Sequence, residues 1–483
     1  MNADEFRKYG HKVIDWVADY LENIEQYPVK SQVNPGDVAA TLPKLAPEKG
    51  ESFDQLLLDV EEKILPGITH WQHPNFHAYF NANVSYASIL AELITAAIGA
   101  QCMIWETSPA AAELEERVMD WLINMTGLPK SWDGVIQDTA SSGTLVSILT
   151  AREKITRFNI NNEGFSDQKL RIYCSAQTHS SIDKSVKIAG IGLDNLVKIP
   201  VDDQMALRPH LLEEAIQSDL ASGKIPCCII TTLGTTGTTA MDPLEAIANI
   251  GVKYNVWHHV DAAYVGAAFV LPEYRHFLKG IEKADTYLFN PHKWMFTNFD
   301  CTAYFVKDKN ALIKTFEILP EYLKTNTRGK VNDYRDWGIP LGRRFRALKL
   351  WFVIREYGVT EIRRKIKKHI ELAAWLEKQI INHPDFEMVV DRVMSLVVFR
   401  YVKYPHLKQN NAINAHILNA LNMSGQAYIT HTKINQRYVL RAVTGQTHIQ
   451  KHHVEKLWKL IRQFAHEYET KGPKNDFRNK VKL

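Results

Sequence analysis

Val256-Trp-His-His-Val-Asp-Ala-Ala-Tyr264 decides the fold of this 483-residue chain. It reads as a short strand whose end delivers a carboxylate, Asp261. In open α/β sheets the carboxyl ends of the strands are where ligands bind. The next strand, Thr286–Phe289, carries Asn290-Pro-His-Lys293 at its own end, about one strand–helix–strand step later. Asp261 and Lys293 are therefore expected on one edge of one sheet. Lys293 is followed by Trp294, Met295, Phe296 and Phe299, a setting in which an unpartnered ammonium is costly. A structural salt bridge is the plain alternative for such a pair.

Further strands are predicted at Arg171–Ser175, Val197–Pro200, Cys227–Leu233, Val256–Asp261 and Thr302–Val306. Helices are predicted between them, at Leu145–Thr156, His210–Ser218 and Leu244–Tyr254. This alternation argues for a mostly parallel sheet covered by helices. A long charged helix follows at Thr360–Ile381 and breaks at His383-Pro384. Strands near Ser395–Tyr401, Ala427–Thr432 and Tyr438–Ala442, with helix His452–His466, suggest a small α+β domain. At the other end, Phe6, Tyr9, Val13, Trp16, Val17, Tyr20, Leu21 and Ile24 follow helical spacing over residues 4–27. That helix packs on its own chain or docks on a second subunit.

The composition, 45% apolar and 23% charged with a net charge of +4, is that of a globular protein without a nucleic-acid footprint. The basic tail from Lys471 reads as a solvated end. Five cysteines make no disulfide framework, so a reducing cytoplasm is expected. No signal peptide and no membrane span is read in the chain.

Asp138-Thr-Ala-Ser-Ser-Gly-Thr144 runs into an apolar helix, and helix starts rich in hydroxyls bind anions. An ordinary N-cap is the bland reading. Gly234-Thr-Thr-Gly-Thr-Thr239 is a second hydroxyl-rich loop on the same edge. Neither a dinucleotide fingerprint nor a Walker loop is present. A lysine, an aspartate and a phosphate cradle on one sheet edge suggest pyridoxal phosphate. The lysine would bond the aldehyde. The carboxylate would keep the ring nitrogen protonated. His179, in Gln177-Thr-His-Ser-Ser181, would cover the ring.

The chain resembles the pyridoxal-phosphate aromatic-L-amino-acid decarboxylases, within the group II decarboxylases, from Phe6 to about residue 440. The resemblance rests on Asn290-Pro-His-Lys-Trp with Asn298-Phe-Asp-Cys301, His259-Val-Asp-Ala-Ala-Tyr264, Thr232-Leu-Gly-Thr-Thr236 and Ile339-Pro-Leu-Gly-Arg-Arg-Phe-Arg346. It implies the fold-type-I architecture, a mostly parallel seven-stranded sheet with an N-terminal helical segment and a small C-terminal α+β domain. The segments implied are 1–85, packing on the partner subunit, 86–365, binding the cofactor, and 366–483. A homodimer with shared active sites follows, which turns the first helix toward the partner. Lys293 becomes the Schiff-base lysine, Asp261 the partner of the pyridine nitrogen and His179 the stacking imidazole. Thr139, Ala140, Ser141, Asn290 and His292 would hold the phosphate. Thr236 and Ala263 would lie beside the cofactor. Tyr334, in Asn332-Asp-Tyr-Arg335, would close over the site and donate a proton to the substrate carbon. Aldehyde-forming relatives replace the lid tyrosine by phenylalanine or the stacking histidine by asparagine. The implied reaction is decarboxylation of tryptophan, tyrosine, phenylalanine or dihydroxyphenylalanine to the amine. The alternatives are aldehyde synthesis, decarboxylation of a non-aromatic acid, and a non-catalytic homologue.

Trp71, Phe76, Tyr79, Phe80, Met103, Ile104 and Trp105 match the family's substrate wall. No Lys or Arg occurs from Thr69 to Thr107, which speaks against acidic side chains. His70, His73 and His77 have a metal-like spacing, but no carboxylate or cysteine clusters with them in sequence, so no metal is expected. Asn81-Ala82 stands where relatives often carry proline and a hydroxyl residue, so Ala82 departs from the pattern. Gly358 resembles the glycine of plant relatives that prefer indoles.

Overall fold

A computed structural model describes residues 1–318 and 330–471; the basic tail beyond Lys471 lies outside these residues. Seven strands form one sheet: Asp133–Gln137 (β1), Leu170–Ser175 (β2), Leu196–Ile199 (β3), Ile225–Thr232 (β4), Trp257–Asp261 (β5), Thr286–Phe289 (β6) and Thr302–Val306 (β7). Their order is β1-β7-β6-β5-β4-β2-β3. Neighbours from β3 through β6 pair in parallel, and β7 runs antiparallel to both β6 and β1. This is the mostly parallel seven-stranded sheet expected.

The interior strands read as unbroken runs because helices bury both of their faces. In β4, Ile-Pro-Cys-Cys-Ile-Ile-Thr-Thr, every residue but the first is buried. β1 escaped the sequence reading. Asp133-Gly-Val-Ile-Gln137 is short and carries two weak strand formers. Pairing with β7 holds it, and the Ile136 N–H donates to Glu115 Oε1 at 2.8 Å. Helix Ala140–Ile155 starts five residues before its predicted beginning, because Thr139 caps it and Ser141, Ser142 and Gly143 are tolerated in its first turn.

Two compact units emerge. Residues 82–370 and 390–394 contain the seven-stranded sheet. Residues 1–81, 371–389 and 395–483 make the other unit. Its sheet contains Phe386–Met388 (β8), Leu396–Tyr401 (β9), Thr430–Ile434 (β10) and Arg437–Val443 (β11), in the order β10-β11-β9-β8. Helices Leu407–Met423 and Lys451–Lys471 cover it, with Phe399, Ile417, Leu440, Leu457 and Ile461 in the core. β8 and helix Leu407–Met423 were not anticipated; the helix is rich in asparagine, a poor helix former.

Helix Arg346–Ile381 is longer than predicted and kinks at Gly358, whose φ of 64° and ψ of 165° are not helical. The first helix, Ala3–Glu22, is fixed by an Asn2–Glu5 capping box. Its own chain meets it through Tyr9 against Phe53, Lys12 on Asp54 and Trp16 on Glu61, yet none of its residues is buried. No helix among the described residues is long and apolar enough to cross a membrane.

Candidate active site

Register places Thr232 of β4 opposite Asp261 of β5, and Asp261 opposite Leu288 of β6. Three parallel strands thus end side by side. Leaving β4, the chain must pass under the segment that follows Asp261. Gly234 allows this: its φ is +86°, and a Cβ there would lie 2.2 Å from Val265 Cγ2. Beyond it Thr235 is buried and Thr236 exposed.

Asp261 is only 5% exposed, and its Oδ1 accepts the Ala263 N–H at 2.9 Å. Burial pushes its pKa up, against the Ala263 N–H and the charges of Lys293 and His179. Lys293 rides on the helical turn Pro291–Trp294 directly after β6. Burial pushes its amine pKa down, against the pull of Asp261. Both groups are thus displaced toward their neutral forms, and each feels the other. His179 follows β2 and senses the same two charges, with burial lowering its pKa. Its Nδ1 accepts the Ser181 N–H at 3.2 Å, so its proton sits on Nε2.

The anion side is built from neutral donors. Thr139 caps helix Ala140–Ile155, and the N–H groups of its first turn have no partner within the helix. Thr302 Oγ1 lies 3.1 Å from the Asp138 carbonyl and 2.8 Å from Asn290 Oδ1, tying the ends of β1 and β6 together. With Oδ1 engaged, Asn290 keeps its amide N–H groups as donors. His292 Nδ1 accepts the Cys301 N–H at 2.9 Å, which puts its proton on Nε2, and burial holds its pKa near 3. A helix start, an amide and a neutral imidazole N–H suit a phosphate. A buried carboxylate and a depressed amine suit an aldehyde-bearing ring with a protonated nitrogen. Pyridoxal phosphate carries all of these features, so the residues present fit it.

Tyr334 packs in a cluster of its own. It is 2% exposed, in the turn Tyr334–Asp336, with its ring 5.2 Å from Trp337 and under the Arg343 guanidinium at 4.9 Å. Arg343 is held by Glu115 at 2.6 Å. The charges acting on Tyr334 are Glu115, Glu116 and Arg343, not Lys293, Asp261 or His179. The ring of the expected lid residue packs on Trp337 and under Arg343.

The predicted substrate wall divides between the units. In the first, Trp71 lies 4.5 Å from Phe76 and 5.7 Å from Tyr79, and Tyr79 meets Tyr428 edge-on at 6.0 Å. Phe80 lies 5.9 Å from the buried guanidinium of Arg441, on β11. That cation lies outside the window Thr69–Thr107 and already donates to Thr430 Oγ1 at 2.6 Å. Ala82, Met103 and Gly358 belong to the second unit. The Met103 carbonyl accepts the Arg335 N–H at 2.8 Å. Among the described residues, the one trio with metal-ligand spacing is Glu25, His452 and His453 rather than His70, His73 and His77. His453 Nδ1 already accepts the Gln450 N–H, so its proton faces Glu25 through Nε2, the wrong tautomer for a ligand there.

A model of the family described as the pyridoxal-dependent decarboxylase conserved domain matches residues 35–402. Phenylacetaldehyde synthase of Arabidopsis thaliana is 43% identical, over 96% of this chain and 96% of that protein. Tyrosine decarboxylase 2 of Narcissus pseudonarcissus is 42% identical, over 96% and 95%. The crystal structure of Catharanthus roseus tryptophan decarboxylase in complex with L-tryptophan superposes with a TM-score of 0.91 at 39% identity, covering 97% of this chain and 99% of that one.

Proposed function

The chain belongs to the pyridoxal-dependent decarboxylases, and from that premise we propose that it converts aromatic L-amino acids to their amines and carbon dioxide. The observation that carries this reading is the meeting of Lys293, Asp261 and His179 at adjoining strand ends, beside a cradle of neutral donors. Pyridoxal phosphate supplies an aldehyde that bonds amino groups and a ring that takes up the electrons left when carbon dioxide departs.

The chain's own residues do the rest. Lys293 would hold the cofactor's aldehyde, and its lowered pKa keeps the amine nucleophilic. Asp261 holds positive charge on the ring nitrogen and is itself kept ionised by it, against the push of burial. His179 covers the ring with its proton on Nε2. Thr139, Ala140, Ser141, Asn290 and His292 bind the phosphate, and Thr236 and Ala263 flank the ring. The clustered rings of Trp71 and Tyr79, with Phe76 between them in sequence, support a flat, aromatic side chain on the substrate. Tyr334, as the lid residue, would give the substrate carbon its proton.

We propose a homodimer as the working form, with residues 1–85 packing on the partner, 86–365 as the cofactor domain and 366–483 as the small domain. Two exposed apolar faces support it. Helix Ala3–Glu22 leaves Phe6 and Ile14 exposed. Helix Tyr86–Ile98 exposes Tyr86, Leu90, Leu93, Ile94 and Ile98 along one stripe. Five unpaired, buried cysteines suit a reducing, cytoplasmic setting.

Aldehyde synthesis is the competing reading, since one of the similar proteins is a phenylacetaldehyde synthase. His179, which aldehyde-forming relatives replace by asparagine, supports the amine. The test supplies tryptophan, tyrosine, phenylalanine and dihydroxyphenylalanine to the purified protein with pyridoxal phosphate. Amine with equimolar carbon dioxide is expected. Aldehyde with hydrogen peroxide would reverse the choice, and no turnover of any of the four would end the reading.

A further inference from the structure

We propose that Asn83 is a positioning residue for Lys293, fixing its backbone so that only the side chain moves; this rests on the reading of Lys293 as the cofactor-bearing lysine. The turn Pro291–Trp294 is only four residues long. A helix that short leaves its carbonyls without the N–H groups that a longer helix would supply. The Pro291 carbonyl finds Met295 N–H at 3.2 Å. The next two carbonyls are both capped by one residue from a distant part of the chain. Asn83 donates its backbone N–H to the His292 carbonyl at 3.2 Å and its Nδ2 to the Lys293 carbonyl at 2.6 Å.

Other bonds complete the clamp. The Lys293 N–H donates to the Asn290 carbonyl at 2.9 Å, so both peptide groups of Lys293 are held. His292 exchanges two bonds with Cys301, through its N–H and its Nδ1. Asn83 has no exposed surface.

The reaction gives this clamp a purpose. Lys293 must release the cofactor to the substrate's amino group and recapture it afterwards. An amine on a four-carbon stem returns to the same atom only if its Cα stays in place, and a misplacement of about 1 Å can cost roughly 100-fold in rate. The side chain at position 83 has to be a donor, because it faces a carbonyl oxygen. An amide donates at every pH; a carboxylate donates only when protonated.

Two variants test this, Asn83→Ala and Asn83→Asp, each compared with the wild-type holoenzyme. In Asn83→Ala, kcat is expected to fall about 10- to 100-fold with KM changed less than about threefold, since the lost geometry concerns the reacting amine. Asn83→Asp should be equally poor at pH 8. Its kcat relative to wild type should then rise at least about fivefold toward pH 6, as the buried carboxyl takes up the proton it needs to donate. A merely structural role predicts no such acid rescue, and parallel pH profiles for Asn83→Asp and wild type would overturn the proposal. Amide hydrogen exchange across residues 290–297, measured without cofactor, should speed up in Asn83→Ala, and unchanged protection there would equally overturn it. Borohydride trapping of pyridoxal phosphate on wild-type Lys293 keeps the two questions apart. If no adduct forms at Lys293, the functional reading fails, whatever the exchange arm says about the clamp.

Discussion

Acidification tests how the interior of this protein is built. Among the described residues, six of the eight buried imidazoles are held neutral far below the ordinary range: His73, His258, His259, His292 and His369 with pKa values near 3, and His77 near 4. In each, burial is the leading cause. The unfolded chain takes up protons on them near pH 6.5 and the folded chain does not. Their contribution to stability is therefore present above pH 6.5 and lost as the pH falls toward their folded values. One unit below 6.5, each costs about 1.4 kcal/mol, so lowering the pH from 7.5 to 5.5 removes roughly 8 kcal/mol for the six. Asp242 works in the opposite sense. Its carboxylate is fully buried, accepting the N–H groups of Leu207 and Thr232, and burial raises its pKa to about 7. Its folded pKa lies above the unfolded one, so it weighs against the fold as the pH rises and relaxes as the pH falls. Over the same two units it returns roughly 2 kcal/mol, leaving a net loss of about 6 kcal/mol, comparable to the whole stability of many domains. Urea denaturation followed by tryptophan fluorescence at pH 7.5 and 5.5 should show the midpoint falling by more than about 1 M. A midpoint that holds or rises on acidification would refute the account, since it would require these imidazoles to be protonated in the fold.

Replacing Lys293 by Ala should abolish the borohydride-stable pyridoxal phosphate adduct, which peptide mass spectrometry would find on Lys293 in the wild type. His179→Asn and Tyr334→Phe are each expected to divert product from amine to aldehyde with hydrogen peroxide, and an unchanged amine yield in either would count against that residue's role. Gly234→Ala forces a Cβ to within 2.2 Å of Val265 Cγ2 at a left-handed φ and should cost roughly 2–4 kcal/mol, read as a lowered melting temperature. Light scattering should give a mass near twice the 55.3 kDa of one chain, and charged residues at Leu90 and Leu93 should lower it to one chain's mass.

Sequence by itself determined the parts of this protein that depend on local pattern. β6 and β7 begin and end where apolar runs meet Asn290 and Lys307, and helix Leu244–Tyr254 spans its predicted residues. The order of strand, carboxylate, strand and lysine was enough to bring Asp261 and Lys293 to one edge, because parallel strands joined by helices all end on the same side. Contacts between distant segments were decided only by the tertiary structure. Asn83 reaches Lys293 across 210 positions, Arg441 arrives beside Phe80 from β11, and Thr302 joins β1 to β6. Tyr334 shows the same limit from the other side. Its neighbours in sequence resemble a lid, and its packing on Trp337 and under the Glu115-bound Arg343 comes only from the fold. Secondary structure follows from a few adjacent residues, whereas burial and partnership are set by whichever side chains the folded sheet brings within a few ångströms.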